Sequence, residues 1–205
     1  MFYGKQLFIA LVLSCLLSAC HMQEAPESTS DAHFSNIKYG VTLSYPKTVK
    51  ARQGFVSNYF MDTRWNPDVR DSQPGQGLLT LTLPASNKLL TGELRLGVSQ
   101  HATSQCALPE DGNTGEITTT TLGGISFKRR DTRDAGMNHF LMRHAYRGIA
   151  HGHCFAIDLV ASGTNPGVYP DNPKPPMTKQ AAFQKLAALL DGLSFPKPGR
   201  QESVM

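Results

Sequence analysis

The sequence is poor in the features that announce catalysis. It has no Gly-x-Ser-x-Gly elbow, no Ser-x-x-Lys with its partner motifs and no papain-like cysteine context, so the common signatures of nucleophilic hydrolysis are missing. A phosphate loop and a dinucleotide fingerprint are missing too, and Gly123-Gly124 reads as a turn. The acids Glu93, Glu116 and Asp158 are single and scattered, which offers no pairing for glycoside hydrolysis. Excess charge is small at +4, and the one basic run, Lys128-Arg129-Arg130, is followed by Asp131 and Asp134. That run reads as a solvated strand end, and no nucleic-acid partner is expected. These absences imply no cofactor and point to a non-enzymatic protein, with an unrecognised hydrolase as an alternative.

No stretch at the N-terminus is long enough to span a membrane. Residues 7–17 are almost wholly apolar, but about a dozen residues fall short of the roughly twenty that a bilayer core requires. Preceded by Lys5 and the amino terminus, and followed by small residues, they fit the hydrophobic region of a cleavable export signal over residues 1–19. The ending Leu17-Ser18-Ala19-Cys20 resembles a bacterial lipobox, in which the cysteine is acylated and becomes the new N-terminus. Several acyl chains hold a protein on a membrane essentially permanently, whereas one chain does not. The mature protein is therefore expected on the bacterial cell envelope, facing the periplasm or the cell surface. Because His21, not aspartate, follows the cysteine, the outer membrane is favoured over the inner.

Cysteine is scarce, and its distribution is informative. Of four cysteines, Cys15 would leave with the signal and Cys20 would carry lipid, which leaves Cys106 and Cys154 in the folded region. A pair in an oxidising compartment usually forms a disulfide, and no CxxC spacing favours metal or redox chemistry instead. Residues 20–35 are polar and contain too little apolar surface to offset the entropy of ordering, so they read as the lipidated cysteine and a flexible tether. Residues 36–196 are expected to form a single domain, and 197–205 a disordered tail.

Within that domain the period-two alternation of Val41, Leu43 and Tyr45 predicts a first strand ended by Pro46. A short strand is expected at 54–60, then a turn-rich loop, then confident strands at 78–83 and 93–100. Residues 117–121 and 125–130 predict a hairpin around the glycine pair, and 139–147 and 154–161 predict another joined by a loop at 148–152. The segment 163–177 carries five prolines and should be a surface loop. Thr178 can cap a helix whose Ala182, Phe183, Leu186, Leu189 and Leu190 recur at helical spacing, with Gly192 as its stop. Residues 193–195 suit a closing strand. The expected class is α+β, an antiparallel-rich sheet with one amphipathic C-terminal helix packed on it.

Three constellations invite a binding reading. His139, His144, His151 and His153 fall within fifteen residues, and a hairpin that gathered them would suit zinc or copper, giving a periplasmic metal-binding lipoprotein as a second alternative. The aromatics Phe55, Tyr59, Phe60 and Trp65 either pack, the first two in the core and Trp65 as a loop anchor, or form a recognition surface. The proline-rich 165–177 loop is either a plain connection or a partner epitope, since preset φ angles lower the entropy lost on docking.

The order of these features resembles a known group. Tyr39-Gly-Val-Thr-Leu-Ser-Tyr-Pro46 is similar to the opening strand of PsbP-like domains and their bacterial secreted relatives. Leu81-Thr-Leu-Pro84, the strand at 92–98, Cys106, Gly136-Met-Asn-His139 and Gly152-His-Cys154-Phe-Ala-Ile-Asp-Leu159 resemble a family of uncharacterised proteobacterial exported proteins and lipoproteins. The loop Thr164-Asn-Pro-Gly-Val-Tyr-Pro170 and the Phe183 helix continue the match, with Phe155 and Pro166 as departures from a usual tyrosine and an aliphatic residue. The resemblance implies a PsbP-like fold, a Cys106–Cys154 disulfide, and binding or assembly rather than catalysis. The expected function is a lipid-anchored, non-catalytic binding or assembly module, held to the membrane by its acyl chains and engaging an envelope protein partner.

Overall fold

A computed structural model describes residues 31–68, 74–99, 106–108 and 115–198. The export signal, Cys20, most of the tether, and the tail from residue 199 lie outside the described residues. Ten strands and one helix are described, in the order β1 (Asp31–Asn36), β2 (Val41–Pro46), β3 (Lys50–Gln53), β4 (Gly75–Thr82), β5 (Thr91–Ser99), β6 (Thr118–Leu122), β7 (Ile125–Gly136), β8 (His139–Ala150), β9 (His153–Thr164), α1 (Lys179–Leu189) and β10 (Leu193–Ser194). Every described strand pair is antiparallel. The α+β expectation therefore takes the form of a largely β protein with one short C-terminal helix.

A seven-stranded sheet in the order β3-β4-β5-β9-β8-β7-β6 forms the body, and a three-stranded sheet β1-β2-β10 accompanies it. The hairpins β6–β7, β7–β8 and β8–β9 turn through two residues each: Gly123-Gly124, Met137-Asn138 and His151-Gly152, all with positive φ. That geometry matches the right-handed twist of the flanking strands. It also shortens the connection expected at 148–152, since β8 runs on to Ala150.

Alternation divides the large sheet into two unlike faces. On one, Leu94, Leu96 and Val98 of β5 and Phe155, Ile157 and Leu159 of β9 join Val41, Leu43 and the helix residues Ala182, Phe183, Leu186 and Leu189 in a single apolar core. Thr178 caps α1 as expected, its hydroxyl accepting from the Ala181 N–H at 3.0 Å. A 3-10 turn at Leu190–Gly192 leads into β10, which pairs with β2.

Several strands run past their expected ends, β7 to Gly136 among them, and two margins differ in kind. Asp31–Asn36, read as the end of the tether and the entry to the domain, forms β1 against β2; its backbone is satisfied by the ladder, although only Ala32 and Phe34 pack on the core. Residues 54–60 form no strand. The strand lies just before, at β3, whose side chains are all exposed and so carry no alternation to read. Residues 54–68 instead cross the second face of the sheet without regular structure.

Candidate functional site

The second face carries charge. Register places Arg95 of β5 opposite Asp158 of β9, which in turn lies opposite Ala145 of β8, so that Arg143 and Arg147 flank Asp158 on the same side. Arg130 of β7 is opposite Ala145 and shares that face. Arg147 is 0% exposed in its side chain and donates Nη1 to Asp158 at 3.0 Å and Nη2 to Asp68 at 2.5 Å. Arg143 also donates to Asp68 and lies 3.5 Å from Asp158. Asn66 accepts from Arg147 Nε at 3.1 Å.

Asp68 and Asn66 belong to the crossing segment, so these ion pairs fasten it to the sheet. Burial pushes the Asp68 carboxyl up, but Arg147, Arg143 and Arg130 outweigh burial and hold it below the usual carboxylate range. Arg95 lies over the Phe55 ring at 4.4 Å and donates to the carbonyls of Val56 and Asp62, binding the same segment further along. Trp65 completes the attachment, packed on Cys106, Cys154 and Ala156. Its neighbours Gly75 and Gly97 leave the space it needs: a Cβ on Gly97 would stand 2.3 Å from the Trp65 carbonyl oxygen.

These residues correct two expectations. Arg130 is no solvated strand end, being buried beside Asp68 at 3.9 Å, while Lys128 stays exposed and Arg129 pairs with Asp131. Tyr59 is not core: it is 59% exposed, whereas Trp65 is buried as a loop anchor.

At the end of the sheet where β8 begins, three connections converge. The β4–β5 turn supplies Leu89 and Leu90, the β7–β8 turn supplies Gly136 and Asn138, and the 165–178 connection supplies Asn165, Pro166, Pro175, Met177 and Thr178. They enclose a cleft of about 560 Å³ with Phe140 in its wall and Lys179, the first residue of α1, at its rim. That volume lies in the range of small-molecule sites. Backbone bonds set the geometry: the Asn165 N–H donates to the Asn138 carbonyl at 2.7 Å, and the Thr164 N–H to the Lys88 carbonyl at 3.0 Å.

His139 lines this cleft and also a smaller one, about 200 Å³, on the opposite side, where Asn58, Tyr59, Phe60, Lys88 and Glu93 gather. Its ring lies 4.3 Å from that of Tyr59. Burial raises the Glu93 carboxyl above its ordinary range, against the pull of Arg95 and Arg52. Next to both clefts, Met137 is 84% exposed at φ 48°, a backbone region that glycine or asparagine ordinarily occupies. The aromatic segment and the proline-rich loop, distant in sequence, thus border one surface.

The four histidines offered as an alternative metal set do not gather into one site. His139 starts β8 and His151 follows its last residue, so at ~3.3 Å per residue they stand roughly 40 Å apart. His144, on the core face, stacks on Phe183 at 3.9 Å; burial lowers its pKa, which Asp131 opposes and Arg129 reinforces. His151 bonds the Phe195 carbonyl, and His153 the Ser99 carbonyl while it packs edge-on against Tyr39. No group of three or more histidine, cysteine or acidic side chains poised for a metal occurs among the described residues. The hairpin spreads His139, His144 and the His151/His153 pair along its length.

Cys106 and Cys154 form a disulfide, with Cα atoms 5.4 Å apart. No helix among the described residues is long and apolar enough to cross a membrane.

No family model matches the chain, and no curated protein does. Among solved structures it is similar to the solution structure of cyanobacterial PsbP (CyanoP) from Synechocystis sp. PCC 6803, with a TM-score of 0.46 and 12% identity. The match covers 87% of this chain and 98% of that one. At that level of likeness, function has to be argued from this chain's own residues.

Proposed function

We propose that this chain is a lipid-anchored protein of the bacterial cell envelope, a member of the exported family it resembles, whose domain is a non-catalytic binding module. Its binding surface is the end of the sheet around His139. The observation that supports this is the cleft between the β4–β5 turn, the β7–β8 turn and the proline-rich connection, with the exposed Met137 in one of its turns and the exposed Tyr59 in the smaller cleft across His139. A large apolar side chain held in a left-handed turn with most of its surface in water marks a contact surface. The walls of that cleft supply apolar contact, amide groups and one ammonium, a set suited to holding a ligand or partner. The charged residues of the sheet's second face are engaged in fastening the crossing segment.

The anchor and the surface are tested separately. Cys20→Ser should abolish incorporation of radiolabelled palmitate and leave unprocessed precursor; continued labelling would refute the lipoprotein reading. A photo-crosslinking residue at Met137, in intact cells, should give a discrete adduct with an envelope protein. The same residue at Ile149, exposed at the far end of β8, should not. Equal crosslinking from both positions would remove the assignment of the surface.

A further inference from the structure

Resting on that binding-module reading, we propose that the cleft beneath the start of α1 is a site for a small amphiphilic anion, an apolar carbon chain ending in a carboxylate. The walls suit the chain: Phe140 and Met177 are half-buried and present apolar surface to the opening, backed by the buried Leu89 and Leu90. Water on such a surface is displaced favourably by any carbon chain that fits.

The rim selects the other end of the ligand, because its charge is of one sign. The residues lining the cleft include no carboxylate, and the single charged group among them is Lys179, whose ammonium stands 3.8 Å from the centre of the Phe140 ring. It has no carboxylate partner among the described residues, so its charge is met only by the ring and by water. Lys179 also opens α1, a helix of 11 residues with no acidic side chain in its first turn. The positive end of the helix dipole therefore faces the same rim, capped by the Thr178 hydroxyl but offset by no acidic side chain. A carboxylate there would gain a charge-assisted hydrogen bond from Lys179 and the field of the helix end. An ammonium would be repelled by both, and an alcohol would gain only the apolar walls.

The experiment uses the full chain in lipid nanodiscs, titrated calorimetrically with decanoate, decanol and decyltrimethylammonium, with heats from empty nanodiscs subtracted. Decanoate should bind saturably at one site, about tenfold tighter than decanol, as expected for one charge-assisted contact. Decyltrimethylammonium should show no saturable phase. Lys179→Gln should bring decanoate down to the affinity of decanol and leave decanol unmoved. Ala135→Trp, which fills the cleft from an exposed strand position, should abolish both. Equal affinities for the acid and the alcohol, an unchanged decanoate affinity in Lys179→Gln, or no saturable binding of any probe would each overturn the proposal. Were decanoate to fail while Met137 kept its specific crosslink, the ligand class would fall and the binding-module reading would stand. Loss of both would end both.

Discussion

At Asp68 two effects oppose each other. Taking a carboxylate out of water favours its neutral form, yet the guanidiniums of Arg147 and Arg143 on one side and Arg130 on another favour the charged form more, so its pKa is depressed on folding. A depressed carboxylate contributes stability that is fully present above its unfolded pKa and is lost as pH falls through its folded one. Asp68→Asn keeps the shape but removes the charge, leaving buried guanidiniums short of compensation. It should destabilise by about 3 kcal/mol near neutral pH, the size expected when one partner of a buried pair is removed. The gap between the two proteins should narrow in urea unfolding below about pH 4, where the carboxyl of the unfolded chain begins to take up protons while the folded one, with its depressed pKa, still holds its charge. A gap that stayed constant down to acid pH would show that the charge plays no part. None of this was legible in the sequence. Arg143 and Arg147 are four apart on one strand and so share a face, but nothing in the chain told which acids they would meet, because Asp68 arrives from an irregular segment 75 residues away.

Elements were legible where one face is apolar and the other is not. β2 and β4 announce themselves by alternation, and α1 by its three-and-four spacing behind a threonine cap. β1 and β3 escaped because strands at a margin are held by ladder hydrogen bonds more than by buried side chains, and a backbone ladder leaves no periodic signature. The crossing segment was read as a strand over 54–60 and a loop only beyond it, and not as a lid on a charged face, since its contacts depend on the space left by Gly75 and Gly97. That dependence can be measured. Gly97→Ala places a methyl group against the Trp65 carbonyl and should lift the segment from the sheet, at a cost of about 1–3 kcal/mol for overpacking. Trp65 is the chain's single tryptophan, so its fluorescence reports the segment alone. Emission should shift to the red and become accessible to iodide in the variant; a spectrum like that of the wild type would mean the strand, not the segment, had moved.

The whole molecule joins two surfaces of unlike character to one sheet. The apolar face is covered by regular elements, α1 and the small sheet built on β2, whose buried side chains join one core. The charged face is covered by a segment without secondary structure, fastened by ion pairs whose net worth is small because desolvation offsets most of their attraction. The disulfide sits on that face: Cys154, at the start of β9, and Cys106 both pack on Trp65, so the crosslink ties the region after β5 to the sheet where the crossing segment is anchored. With 48 residues between its ends, it removes loop-closure entropy from the unfolded chain worth about 4 kcal/mol. Replacing both cysteines by serine should therefore lower stability by about that amount and raise the denaturant m-value, because the unlinked unfolded chain exposes more surface. The loss should be uneven. Hydrogen exchange in β4, β5 and the β8–β9 hairpin should quicken only as far as global stability falls, whereas amides of the 54–68 segment should exchange by local opening well below that limit. Protection of the segment matching that of the sheet, in the serine variant, would show that the ion pairs hold the charged face closed without the disulfide.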